Sequence, residues 1–120
     1  MEGVKTYKSI EEMPVNDQMD FLARELIVYS IIYYDLDDNI VSDKEYDTKA
    51  RKLYKLCQEN SDIIPKCQYK DILQDFVPDT GFDLKYKLSP EHKKYLEDLS
   101  CMVLNHYKQD RLLMVGKEKK

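Results

Sequence analysis

Apolar residues recur along this chain at helical intervals, and nowhere does the strict alternation of a half-buried strand persist. Phe21, Leu22, Leu26, Tyr29, Ile32 and Tyr33 fall near i, i+3 and i+4 spacing, which predicts a first helix over about 16–36 with Asn16 as its N-cap. That helix should bury much of its second half. Ser42-x-x-Glu45 is a capping box, and Tyr46, Ala50, Leu53 and Cys57 follow at intervals of four, three and four. A second helix over 43–59 is therefore expected. Asp37-Asp38-Asn39 is rich in turn formers and short, so the two helices should form an antiparallel hairpin.

Beyond the hairpin the pattern weakens. Pro65 interrupts it, a short helical candidate runs from about Gln68 to Phe76, and Val77-Pro78-Asp79-Thr80-Gly81 reads as a turn followed by irregular chain to Leu88. Ser89-Pro90-Glu91 then supplies an N-cap, a first-position proline and a first-turn acid. The series Tyr95, Leu96, Leu99, Met102, Val103, His106 and Tyr107 marks a long last helix, about 90–114. The whole predicts an all-α fold of one domain, 1–120: a hairpin within 16–60, then additional helices ending in a flexible basic tail at Lys117, Lys119 and Lys120.

Composition narrows the function classes. With 42% apolar and 35% charged residues, three Gly and no Trp, this is the make-up of a soluble, helix-leaning domain. The longest uncharged run, Leu26 to Tyr34, falls far short of the roughly 20 apolar residues a bilayer span needs. Cys57, Cys67 and Cys101 are odd in number and lack C-x-x-C spacing, which points to a reducing cytoplasm rather than a disulfide or zinc framework. The net charge of −4 is unevenly distributed: residues 1–47 carry 4 basic and 12 acidic side chains, residues 48–120 carry 15 and 11. An acidic chain of pI near 5.2 is not expected to bind duplex nucleic acid directly.

The acidic half also holds the chemistry. In a hairpin, Tyr33 and Tyr34 at the end of the first helix face the start of the second, where Asp43, Tyr46 and Asp47 share one face at i, i+3 and i+4. Tyrosine rings and carboxylates together suit an oxidised nicotinamide ring, a flat cation, and the hydroxyl donors of its ribose. Taken singly, the aspartates equally suit the positive end of the second helix, and the tyrosines equally suit hairpin packing.

The segment Tyr33-Tyr34-Asp35-Leu36-Asp37-Asp38-Asn39-Ile40-Val41-Ser42-Asp43-Lys44-Glu45-Tyr46-Asp47 resembles the signature of domain Ia of NAD-dependent DNA ligases. In that family the signature typically reads YY or YH, two to three residues, then D-x-P-x-(I/V)-(S/P)-D-x-E-Y-D. The resemblance covers about residues 20–60 and implies binding of NMN, or of the nicotinamide end of NAD, by Tyr33, Tyr34, Asp43, Tyr46 and Asp47. Asn39 stands where the family has proline, which should loosen the loop without removing a contact group. No K-x-D-G occurs, so the lysine that accepts AMP in ligase chemistry has no counterpart, and the chain is expected to be non-catalytic. It is also similar to small ligase-related proteins of phages, which carry a G-F-D-L segment like Gly81-Phe82-Asp83-Leu84.

Other assignments compete. Asp35, Asp37, Asn39, Val41 and Asp43 occupy positions 1, 3, 5, 7 and 9 of a calcium loop, but Ile40 and Tyr46 stand where that loop needs glycine and a bidentate glutamate. No metal is expected. His92 reads as a solvated surface residue, His106 as a core histidine, and Cys57 and Cys101 as small buried hydrophobes. Ten tyrosines are many for so small a core and also suit a protein interface. The alternative is thus a phage-type factor whose acidic, Tyr-rich hairpin binds or inhibits a host enzyme: ligase or replication machinery, a nuclease or an NAD-consuming defence enzyme. A third option is a subunit lending NAD recognition to a separate adenylation domain. A pocket containing the tyrosines with Asp43 and Asp47 favours a ligand, whereas a flat tyrosine face favours a protein.

Overall fold

The computed structural model describes residues 9–78 and 84–118, with side chains to residue 110 in the last helix. Four α-helices follow one another: α1 (Val15–Tyr34), α2 (Asp43–Glu59), α3 (Lys70–Leu73) and α4 (Pro90–Glu118), with 3-10 turns at Ile10–Glu12, Ile64–Lys66 and Leu84–Lys87. Among the described residues there is no strand, and the all-α hairpin followed by a long helix is as the hydrophobic spacing predicts. The expected turn at Asp79-Thr80-Gly81, the segment Gly81-Phe82-Asp83, and the tail at Lys119 and Lys120 lie outside the described residues, as does the Lys117 side chain.

α1 is the centre of the molecule. Its buried residues are Met19, Leu22, Ala23, Leu26, Ile27, Val28, Ser30, Ile31 and Ile32, which surround most of its circumference. A helix apolar all round must be covered on more than one side. Here α2 packs on one side, and α4 with the Leu84–Lys87 turn covers another. Each fully buried side chain such as Leu26, Ile27 or Ile32 contributes roughly 1.5–3 kcal/mol relative to leaving it in water.

Local details correct several expectations. Asn16 is not the N-cap: Pro14 holds that position, and Asn16 lies inside the helix with its amide donating to Asp17 at 3.4 Å. The candidate at 68–76 shrinks to the single turn of α3, which follows the 3-10 turn Ile64–Lys66 that holds Pro65. α3 is held instead by Asp20 of α1, whose carboxylate accepts the Gln68 and Tyr69 backbone N–H groups at 2.9 and 3.0 Å. The irregular chain expected before Leu88 contains the 3-10 turn Leu84–Lys87, whose Leu84 enters the core. α4 continues to Glu118, beyond the predicted end near 114.

The face that α4 buries also differs. Leu96, Ser100 and Leu104 point inward, with Leu99 and Val103 partly covered, whereas Tyr95 and Met102 are 52% and 68% exposed. His106 is exposed beside Asp110 at 3.6 Å, so it is no core histidine, and Cys101 is exposed as well. His92 is half-buried and packs against the Tyr69 ring at 5.3 Å rather than standing free in solvent. Ser100 explains the shift in phase: its hydroxyl donates to the Leu96 carbonyl at 2.6 Å, so a polar letter occupies a fully buried site.

Candidate functional site

The α1–α2 turn begins where Asp37 adopts a positive φ of 53°, a region that aspartate tolerates better than most residues. Asp38 N–H closes the turn on the Ile32 carbonyl at 3.1 Å. Asn39 then stiffens it: its N–H donates to Asp38 Oδ1 at 2.7 Å, and its own Oδ1 accepts Val41 N–H at 3.2 Å. This Asx turn holds locally what a proline ring would hold by covalent restraint. Ser42 caps α2, its Oγ accepting Glu45 N–H at 3.0 Å, which fixes the first turn bearing Asp43, Tyr46 and Asp47.

Two cross-chain lysines pin the turn from outside. Lys85 pairs with Asp35 and lies 3.8 Å from Glu97, while Lys108 of α4 approaches Asp38 at 3.9 Å. Asp35 raises the Lys85 ammonium above its usual range by accepting its hydrogen bond. Lys49–Glu25 at 3.0 Å and Lys52–Glu11 at 2.8 Å make the same kind of match. Glu11, Glu25, Asp35, Asp38 and Asp47 of the acidic first 47 residues are in this way paired with basic residues of the remainder of the same chain.

A cleft of about 300 Å³ opens at this end of the hairpin. Tyr33, Tyr34, Asp43, Tyr46 and Asp47 all line it. So do Tyr29, Ser30, Asn39, Val41 and Pro78, none of which the sequence marks as a nicotinamide contact. Tyr29 and Ser30 stand one helical turn before Tyr33 and Tyr34, a signal that i, i+4 spacing carries. Pro78 has no such signal, since only the tertiary fold brings it there.

Hydrogen bonds set the aromatic wall. Ser30 Oγ is 2.7 Å from the Leu26 carbonyl and 3.1 Å from the Tyr46 hydroxyl. The serine has one proton and the carbonyl can only accept, so Ser30 donates to Leu26 and Tyr46 donates to Ser30. Tyr46 is thereby oriented with its ring in the cleft. Tyr29 donates to Glu25 at 3.1 Å, and burial, followed by the Glu25 charge, pushes its phenol up to about 12. Tyr33 and Tyr34 meet edge to face, 4.9 Å between ring centres, and stay 54% and 46% exposed, leaving aromatic surface open at the mouth. Asp47 accepts Arg51 Nε at 2.8 Å, and that hydrogen bond raises the arginine.

Chemically the cleft offers aromatic faces, two carboxylates, a serine and an asparagine. Among the described residues no group of three or more His, Cys, Asp or Glu side chains could hold a metal ion, and no helix is long and apolar enough to cross a membrane.

Fold and cleft together define a helical hairpin with an aromatic, acidic pocket at its open end. Residues 12–66 match the DNA ligase-like, N-terminal NAD+-binding domain family, so this segment is similar to domain Ia of DNA ligases. The DNA ligase of Buchnera aphidicola subsp. Acyrthosiphon pisum (strain APS) is 39% identical over 49 residues, and that of strain Tuc7 has the same identity over the same length. The strain 5A ligase is 37% identical over 49 residues. The match covers 41% of this chain but spans only 7% of each ligase. No solved structure matches the chain.

Proposed function

We propose that the cleft binds the nicotinamide end of NAD, as NMN or as part of the dinucleotide, and that the chain acts as a recognition module without bond-making chemistry of its own. The observation that carries this reading is that Tyr33, Tyr34, Asp43, Tyr46 and Asp47 share one concave site in a segment of the NAD+-binding family. Tyr46, oriented by Ser30, offers a stacking face to the pyridinium ring. Asp43 and Asp47 accept ribose hydroxyl protons, with one oxygen of Asp47 shared with Arg51. The 120 residues contain no K-x-D-G lysine, which supports recognition rather than adenylation.

A concave tyrosine site fits a small ligand better than a flat protein face. The acidic side chains Glu11, Glu25, Asp35 and Asp38 are engaged by lysines of the same chain, which reduces the charge the hairpin offers a partner. Titration calorimetry with NMN and NAD+ tests the reading. Saturable binding is expected, weakened at least about tenfold by Asp47→Ala through loss of a charge-assisted acceptor. No heat at millimolar ligand, with wild type and Asp47→Ala alike, overturns it.

A further inference from the structure

A second concavity, of about 390 Å³, lies at the far end of α2. Ile64, Leu73 and Phe76, all buried, give it an apolar floor, while Tyr54 and Gln58 of α2 and Gln74, the C-cap of α3, stand exposed around it. Helical register fixes its place relative to the cleft. Tyr54 and Gln58 each follow Asp43 and Asp47 by eleven residues, so three turns of α2 return them to the same face, roughly 16 Å further along. The chain then passes both hollows in consecutive residues, Val77 lining the second and Pro78 the first.

Between the hollows, Asp47, Arg51, Tyr54 and Gln58 form one exposed ridge at intervals of four, three and four. An exposed ridge is ordinarily solvated surface. This one joins two concavities, and its groups come in the order carboxylate, guanidinium, phenol, amide.

We propose that the second concavity is an adenine site, and that the α2 ridge carries a whole dinucleotide between the two hollows. For the other end of that ligand it rests on the nicotinamide reading above. Tyr54 offers an aromatic face on which a purine stacks. A glutamine amide sets a donor beside an acceptor, the arrangement that matches N7 and the N6 amine of adenine, and Gln58 and Gln74 bring one such amide from each wall. Midway, Arg51 gives its Nε to Asp47 at 2.8 Å with its side chain 71% exposed. A guanidinium has further N–H donors, so the same side chain can meet a pyrophosphate while it holds the carboxylate. An extended dinucleotide places two riboses and a pyrophosphate between its bases, enough to span three helical turns.

Titration calorimetry of the full chain with NMN, NAD+ and AMP tests this, together with Tyr54→Ala and Gln58→Ala, exposed changes whose folding is checked by circular dichroism. NAD+ is expected to bind at least about tenfold more tightly than NMN, the gain that stacking one base supplies. Tyr54→Ala should remove most of that advantage and Gln58→Ala part of it, with NMN binding unchanged in both. AMP alone should bind weakly and lose its binding in Tyr54→Ala. NAD+ binding no more tightly than NMN overturns the proposal and leaves the nicotinamide reading standing. An NAD+ advantage that survives both substitutions overturns it too, since the adenosine half is then held elsewhere. AMP binding that Tyr54→Ala abolishes, with NMN silent, keeps the adenine site and removes the nicotinamide reading instead. Silence with all three ligands removes both.

Discussion

Tyr29 is an unusually informative side chain, since it lines the cleft and reports on its surroundings. Burial and the Glu25 charge raise its phenol from 10.0 to about 12, so folding favours the protonated form. That stabilisation is complete below pH 10 and disappears as pH rises through about 12. Cys57 and Cys67, pushed up to about 11 chiefly by burial, act in the same sense from pH 9 to about 11. Urea midpoints measured across this alkaline range should fall less steeply in Tyr29→Phe than in wild type, above all beyond pH 11. An unchanged slope would place the tyrosine's charged form in water. The tyrosine itself was legible in the helical pattern, but its role was not, because hydropathy treats an aromatic facing a cleft and one facing the core alike. The same blindness misplaced His106 and Cys101. Their apolar neighbours set a stripe, while the buried contact ran through Ser100, which no hydrophobicity pattern selects.

At the scale of elements, the two helix starts with capping signals are where expectation and structure agree most closely. Ser42 Oγ accepts Glu45 N–H and Ser89 Oγ accepts His92 N–H, as their sequence contexts imply. The start of α1 departs from the expectation at Asn16 because no side chain caps it: the backbone of Pro14 begins the helix, and its carbonyl accepts Gln18 N–H at 2.9 Å. α3 was overextended because its anchor, Asp20, lies 48 residues before Gln68. The Ser42 cap has a dual consequence, since the turn it holds carries three of the cleft residues. Ser42→Ala should lower stability by about 1 kcal/mol in urea denaturation, and Ser42→Asp should restore it. Ligand affinity should follow the same order. If stability drops and affinity does not, the first turn of α2 is positioned by packing alone.

At the scale of the whole molecule, the charge asymmetry that invites thoughts of a partner is partly matched within the chain. Lys85 is the central example, a well-covered ammonium reaching Asp35 and Glu97 from the turn before α4. Lys85→Ala should cost about 1 kcal/mol, more than a typical exposed pair, and the difference from wild type should narrow with added salt. Urea curves at low and high NaCl measure both effects. The Lys85–Asp35 pairing was not legible beforehand, because its partners lie 50 residues apart in the chain.

The covering of α1 on two sides bears on where such a unit can be cut. The family match ends at residue 66, yet the continuous core runs from Met19 through Leu84 and Leu96 to Leu104, and Pro78 supplies part of the cleft rim. The recognisable unit of descent is thus smaller than the unit that packs. In this chain the hairpin is completed by α4 and the Leu84–Lys87 turn, which lie against its first helix. Pro78, in the segment leading to that cover, also supplies part of the rim of the site.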